Sequence, residues 1–388
     1  MTDYNRILVA QTIFLGDLVL TIPLLRHLRY AYPDASIDVL VAKGMENLLA
    51  SHPAVSSVLT FDKGGKDKGW RGITNVARCL KERQYSVGLI LPGSVRTALA
   101  VYLAGIPRRI GTNHSTGILL FADMVKFPRQ LKSSPHARPI LFLERIWRMF
   151  GGQQSFVSSM YTDVVRLNAA HDAIHRHLQL LAPLGISVKD ELLRPQLFPS
   201  EADRSLVDGF LSSNRSRDLM AVAPGSVWPT KRWPLDRYAS LIGLLLHQGY
   251  SVVLIGGEYD LSLCEEVTRL FHSSQIFNGC GRFNAIQSAE LLRQCRLLVT
   301  NDSAPMHLAA AMGTPCVAIF GPTVPEFGFA PSGNRHVVVQ REDLWCRPCT
   351  PHGGDRCPIG THECVTGISV EDVRNAAFNA LGSEDKPR

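Results

Sequence analysis

Long apolar runs are what this 388-residue sequence most plainly lacks. No stretch of about 18 consecutive apolar residues occurs, so no membrane-spanning helix is expected. The opening MTDYNRILVAQ carries an acid and leads straight into a strand pattern, which is not how a secretory leader begins, and it predicts a cytoplasmic protein. Also missing are the phosphate loop of nucleotide hydrolases, G-x-x-x-x-G-K-[ST], and any helix-turn-helix, Cys/His zinc-finger pairing or aromatic RNA-binding signature. Nucleic acid is therefore not an expected partner. Charge is sparse, 19% of residues against 45% hydrophobic. The chain thus has material for a substantial core, and its length suits two domains of nearly equal weight.

The charge that is present is unevenly spread. Residues 1–150 hold 20 Lys/Arg against 10 Asp/Glu, a net +10, and the rest holds 21 against 24, a net −3, within an overall +7. A basic first half faces something acidic, and a phosphorylated small molecule or an anionic membrane surface fits better than nucleic acid. Of the nine cysteines, Cys79, Cys264, Cys280, Cys295 and Cys316 sit singly in apolar segments and are expected as buried thiols. The other four cluster late in the chain.

Strand and helix patterns alternate from the start. Arg6–Ala10 reads as a strand, Gln11–Gly16 as a turn, and Asp17 opens a helix stopped at Pro33. Strands at 37–41, 58–61 and 87–91 follow with helical stretches between them, which predicts an α/β fold built on parallel, doubly wound sheets. Lys63–Gly69 (KGGKDKG) is basic, Gly-rich and long enough to be mobile. Arg96, Arg108 and Arg109 are expected near the carboxyl edge of the strands, where guanidinium groups can grip phosphates bidentately; a solvated basic face is the ordinary fate of such residues. His136 and Arg138 precede a helix, LFLERIWRMFGG, another helix covers 170–184, and the polar, twice-proline segment 185–200 reads as an interdomain linker.

The second half carries the most telling stretch. Leu297–Thr323 reads as a buried strand, a polar corner (Asn301, Asp302, Ser303), a short helix ended by Gly313, and a second strand, Cys316–Phe320. A βαβ unit puts that corner at the carboxyl edge of the sheet, where α/β folds bind ligands. Its helix start suits a phosphate and its carboxylate a sugar hydroxyl, although taken alone Asn301 and Asp302 read first as a helix cap. Upstream, PGSVWPTKRWP at 224–234 offers small residues, Gly225 and Ser226, for close backbone approach to a phosphate, and a cation, Lys231, to neutralise it. Glu258 emerges from a strand end as a ribose-binding acid would.

Three segments together, the N-terminal strand–LGD–helix, PGSVWPTKRWP and NDSAPMHLAAA…GPT, resemble the ADP-heptose:lipopolysaccharide heptosyltransferases, glycosyltransferase family 9, in order, spacing and local structure. The likeness runs along nearly the whole chain. It implies the GT-B architecture, two Rossmann-like domains facing a cleft: 1–187 for the acceptor, 188–368 for the nucleotide-sugar donor, and 369–388 as a C-terminal helix and tail packing back on the first domain. It implies inverting transfer of heptose from ADP-L-glycero-D-manno-heptose to the inner core of lipopolysaccharide by a monomer peripheral to the cytoplasmic face of the inner membrane, with no cofactor or metal required for catalysis. A polyanionic lipid A–inner core acceptor would account for the basic first half. By this resemblance Asp17 is the general base and Lys231 the lysine on the donor phosphates. Gly225, Ser226, Ser303 and Ala304 fall on the diphosphate contacts, Glu258 on the ribose contact and Asp302 on the heptose contact. His307 and Thr323 belong to the donor side, and Gly16 with Arg96, Arg108 and Arg109 to the acceptor side. One departure stands out: the family usually has Gly where this chain has Ala304, and Pro305 lacks an N–H, so fewer backbone donors face the phosphate.

Cys346, Cys349, Cys357 and Cys364, spaced C-x2-C-x7-C-x6-C with His352 and His362 between them, occupy a Pro/Gly-rich loop. The spacing admits a structural zinc site or, behind it, an iron–sulfur centre, and equally plain reduced thiols or a disulfide. Three other functions compete with heptose transfer. A family member could use another sugar, such as an N-acetylhexosamine, by the same mechanism. A sugar-nucleotide 2-epimerase would need a catalytic acid cluster, which is not found. A non-catalytic sugar-nucleotide-binding protein is opposed by the presence of both Asp17 and Lys231.

Overall fold

The computed structural model describes residues 4–112, 157–168, 170–212, 218–333, 335–350 and 352–382. The helix expected after His136 and Arg138 lies outside these residues. The chain divides into two compact units, Met1–Glu46 with Pro53–Leu193, and Asn47–His52 with Arg194–Arg388.

In the first unit β1 (Arg6–Gln11), β2 (Ser36–Ala42), β3 (Ser57–Phe61), β4 (Val87–Ile90), β5 (Arg108–Thr112) and β6 (Asp163–Val165) form one sheet in the order β3-β2-β1-β4-β5-β6. All neighbouring pairs are parallel. The central strands read as near-continuous apolar runs because both faces are covered by helices: α1 (Leu15–Ala31), α2 (Gly69–Glu82), α3 (Val95–Leu103) and α4 (Ala173–Leu178). The helix expected over 170–184 is shorter. Asp172 caps α4 by accepting from His175 N, and after Leu178 the chain tightens into a 3₁₀ turn, Gln179–Leu184, around Pro183, which has no N–H to continue an α-helical ladder.

The second unit repeats the plan. Its elements are α5 (Glu201–Ser212), β7 (Leu219–Ala223), α6 (Leu235–His247), β8 (Ser251–Leu254), α7 (Leu261–Arg269), β9 (Ile276–Asn278), α8 (Ala285–Arg293), β10 (Leu297–Asn301), α9 (Ala304–Met312), β11 (Cys316–Phe320), β12 (His336–Gln340), α10 (Glu363–Thr366) and α11 (Val370–Leu381). The sheet order is β12-β11-β10-β7-β8-β9, again all parallel. Winding therefore reverses between β1 and β4 in one unit and between β7 and β10 in the other. Crevices at the carboxyl ends of such strands are where doubly wound sheets take ligands.

Among the described residues no helix is long and apolar enough to cross a membrane. One expectation needs correction. Cys79 is exposed rather than buried, because the polar face of α2 carries it outward. The C-terminal helix α11 contributes to the second unit's core. Ser369 and Asp372 form its capping box, and Val373, Ala376, Ala377 and Leu381 face Trp233, Tyr238 and the strands beneath. Val373→Ala should accordingly lower stability by roughly 1–3 kcal/mol in urea denaturation, the cost of a small cavity at a fully buried aliphatic position.

Candidate active site

At the β7–β10 switch point one side chain organises the loops. Asn301, fully buried at the end of β10, accepts at Oδ1 from Trp233 N (2.9 Å) and Tyr238 Oη (3.0 Å). Through Nδ2 it donates to the carbonyls of Pro224 (2.9 Å) and Gly225 (3.2 Å). It thus pins both ends of the 224–234 loop. Within that loop Arg232 donates twice to the Ser226 carbonyl (3.0 and 2.7 Å), and Trp233 Nε1 donates to the Ile368 carbonyl (3.0 Å). A Cβ at Gly225 would lie 2.1 Å from the Asp260 carboxylate, so any larger residue would force that side chain to move.

The loop so held delivers Lys231 to Asp302, Nζ to Oδ2 at 2.6 Å, and Thr323 Oγ1 donates to the same oxygen at 2.6 Å. Lys231 is only 9% and Asp302 6% exposed, a degree of burial that ions tolerate only when paired and hydrogen-bonded. The capping role that Asn301 and Asp302 suggested in isolation is therefore not theirs. Ser303 holds the N-cap position of α9, with its hydroxyl against Thr300 Oγ1 (3.2 Å) and the Asn301 carbonyl (3.3 Å), and no side chain caps the helix. Ala304 and Pro305 open the helix, so its amino end presents uncapped backbone N–H groups, less the one Pro305 lacks. His307, in the same turn, is buried beside Asp302 and Lys231, and among the described residues its Nδ1 has no hydrogen-bond partner. Burial pulls it down to about 4 despite the Asp302 charge, so the ring is neutral near pH 7. Glu258 stands apart, exposed on the 3₁₀ turn that follows β8, next to the Asp260 that crowds Gly225.

The first unit brings a second group to its own switch point. Asp17 lies half-buried in the first turn of α1, three residues beyond Phe14 at the N-cap, so it is not itself the cap; Gly16 beside it is buried. Arg176 on α4 lies within electrostatic reach of Asp17. Thr12, in the loop that leads to Asp17, has its hydroxyl against Thr97 Oγ1 (2.6 Å) and receives Lys63 Nζ at both Oγ1 (2.6 Å) and the carbonyl (3.0 Å). Arg96, in the first turn of α3, donates to the Lys63 carbonyl (3.1 Å). Burial and Arg96 together pull the Lys63 ammonium down to about 7.

Arg108 and Arg109 are elsewhere. They begin β5, at the amino edge of the sheet, where Arg108 forks onto Asp163 (3.2 and 3.0 Å) and reaches Tyr4 Oη (2.5 Å), while Arg109 donates to the carbonyls of Met160 (2.6 Å) and Ile106 (2.5 Å). The Gly105–Pro107 turn that ends α3 leads into a strand, not out of one, which is why counting from the turn put them on the wrong edge. Arg176 and Thr12 escaped the sequence reading, and Asn301 and Lys63 were read for other roles. Asn301 looked like a cap, and the 17–176 and 12–63 contacts are set by topology rather than by any local pattern.

The cysteine loop touches the site from behind. Cys349, Cys357 and Cys364 line one small hollow with His362 and Thr230, and all nine cysteines are free thiols. Among the described residues no group of three or more His, Cys, Asp or Glu side chains is placed to hold a metal ion. Cys349 Sγ turns instead to the Cys346 carbonyl (3.1 Å), and Cys364 is buried on α10. The loop's firm attachments are Thr230 Oγ1 to the Gly354 carbonyl and Gly354 N back to Thr230 Oγ1, both 2.8 Å. Gly353 adopts φ +92°, and a Cβ on it would press within 3.1 Å of the Lys231 side chain. The loop therefore buttresses Lys231.

Two outcomes follow for this cluster. Asn301→Leu leaves four buried backbone and hydroxyl groups without a partner, and urea denaturation should show a loss of at least about 2 kcal/mol. His177 and His307, both held near 4, bind fewer protons folded than unfolded between pH 4 and their ordinary 6.5, so stability falls as pH drops through that window. His307→Asn should flatten this acid limb in thermal melts taken from pH 7 to pH 4, whereas an unchanged slope would mean that the ring is not buried neutral.

The family described as glycosyltransferase family 9 (heptosyltransferase) matches residues 140–355. Lipopolysaccharide heptosyltransferase 2 of Salmonella typhimurium is 31% identical over 328 residues, 83% of this chain and 84% of that protein. Lipopolysaccharide heptosyltransferase 3 of Escherichia coli is 24% identical over 96% of each chain. Among solved structures, a family 9 glycosyltransferase from Veillonella parvula superposes with a TM-score of 0.77 at 25% identity over 98% of each chain. ADP-heptose lps heptosyltransferase II of E. coli does so with 0.72 at 25% identity over 97% of this chain and 98% of its own. With its paired doubly wound sheets, the chain belongs to glycosyltransferase family 9, the heptosyltransferases.

Proposed function

We propose that this enzyme transfers heptose from ADP-L-glycero-D-manno-heptose to the inner core of lipopolysaccharide with inversion at the anomeric carbon, working as a monomer at the cytoplasmic face of the inner membrane. The observation that carries the reading is the buried Lys231–Asp302–Thr323 cluster at the switch point of the second unit. In this reading an acceptor hydroxyl attacks the anomeric carbon, Asp17 takes its proton, and the bond to ADP breaks with the electron pair leaving on the phosphate oxygen. Negative charge grows on the diphosphate, so preorganised positive groups there lower the barrier. Lys231, Arg232 and the uncapped start of α9 supply them, with Gly225, Ser226, Ser303 and Ala304 allowing close approach, and no obligatory metal is needed. Glu258 takes the ribose hydroxyls and Asp302 the heptose. The unmet Nδ1 of His307 gives a further contact for a hydroxyl of the donor. On the acceptor side the reading keeps Gly16 and Arg96 and drops Arg108 and Arg109.

Asp17→Asn separates base from scaffold. A first-turn acid is worth only about 0.3–1 kcal/mol to its helix, so the variant should fold and bind ADP-heptose nearly as the parent does. Its turnover should fall roughly 10²- to 10⁴-fold if Asp17 takes the proton, as read by mass spectrometry of the product. Activity within a few-fold of the parent would send the search for the base elsewhere. Lys231→Ala should weaken ADP-heptose binding by about 1.5–3 kcal/mol in calorimetry, and unchanged affinity would remove it from the donor site.

A further inference from the structure

The connection from β3 to α2, Asp62–Lys68, takes in most of the Lys63–Gly69 stretch that was expected to be mobile and is instead tied from within, with Trp70 and Arg71 following in the first turn of α2. Both of its carboxylates point inward. Asp62 accepts from Gly65 N (2.9 Å), Lys66 N (3.4 Å) and Lys43 Nζ (3.0 Å); Asp67 accepts from Asp62 N (2.9 Å) and donates its own N–H to the Asp62 carbonyl (3.0 Å). Gly72 lets α2 close on this turn, because a Cβ there would stand 2.0 Å from the Asp67 backbone. With the acids consumed inside, Lys66, Lys68, Trp70 and Arg71 are left outside, and Trp70 is 61% exposed. A rigid knuckle that turns its acids in and shows a tryptophan among cations has the composition of a membrane-interface anchor. The indole suits the headgroup level, and the cations suit lipid phosphates.

We infer that the Lys66–Arg71 knuckle docks the enzyme on an anionic lipid surface, with Trp70 among the headgroups and Lys66, Lys68 and Arg71 over their phosphates. The inference rests on the reading of the acceptor as a membrane glycolipid, and it names the element that meets the bilayer. Lys63, at the root of the knuckle, is the residue bonded to Thr12 ahead of Asp17, so docking here brings the carboxyl edge of the first sheet to the lipid surface.

The full-length protein is sedimented with phosphatidylcholine vesicles with and without phosphatidylglycerol. The parent should bind the anionic vesicles, release in high salt, and show a blue shift of tryptophan emission on binding. Lys66→Glu with Lys68→Glu should lower partitioning by on the order of tenfold or more, given the contribution of each basic residue at such a surface. Trp70→Ala should bind more weakly and lose the blue shift. Equal vesicle binding by parent and variants overturns the proposal, and so does retention on single-stranded DNA without vesicle binding. A water-soluble, deacylated acceptor keeps the two readings apart. Turnover on it should be unchanged in these variants, and a loss would make the knuckle a substrate contact and overturn the docking role. A parent that uses neither acceptor would refute the proposed function while leaving the vesicle result intact.

Discussion

Everything at the β7–β10 switch point depends on how one buried amide is spent. The loop after β7 must leave the sheet at the point where winding reverses, and its first carbonyls, Pro224 and Gly225, are shut away from water there. Buried backbone groups left without partners cost enough to forbid such a loop. Asn301, at the matching end of β10, has two donors and two acceptor lone pairs, and all are used, two on each end of the loop. A carboxylate in its place would lose both donors. Once both ends are fixed, Lys231 has one place to go, and Asp302, the next residue after the brace, is there to meet it.

The charges follow the same logic of mutual satisfaction. Lys231 and Asp302 form a pair with little net charge, which makes it tolerable in the absence of ligand. What remains open at the cluster is polar but unspent: the start of α9 without a side-chain cap and the Nδ1 of His307. A site of this kind offers a diphosphate sugar directional donors rather than a large standing field. The cysteine-rich loop belongs to the same scheme. Gly353 and Gly354 set it against Thr230 and Lys231, and Cys349, Cys357 and Cys364 line a small hollow together with the same glycines and Thr230.

Much of this was legible in the sequence. Both sheets, their parallel sense and the residues at the carboxyl edge of β7 and β10 could be read from apolar runs broken by Gly, Pro and polar corners, because those signals are local. Lys231, Asp302 and Thr323 were each picked out, although nothing in their spacing says that a single carboxylate oxygen joins the other two. What the sequence hid was long-range or directional. Asn301 has the composition of a cap and the function of a brace. Arg176 reaches Asp17 only because α4 packs on α1. A run such as GIPRRIG does not reveal whether it leaves a strand or enters one, and that ambiguity moved two arginines to the wrong edge.

The basic excess of the first half divides accordingly. A count of residues suggested a positive surface, but cations at opposite edges of the sheet do different work. At the amino edge Arg108 is paired with Asp163, which offsets its charge, and Arg109 is held to the carbonyls of Met160 and Ile106. At the carboxyl edge Asp62 and Asp67 are withdrawn into the knuckle while Lys66, Lys68 and Arg71 remain in solvent. Among the described residues, Lys66, Lys68 and Arg71 are thus exposed cations near the carboxyl edge, the edge at which α1 begins and carries Asp17. Exposed cations at that edge attract anions to the side of the sheet that carries Asp17, opposite the side where Arg108 and Arg109 are tied down.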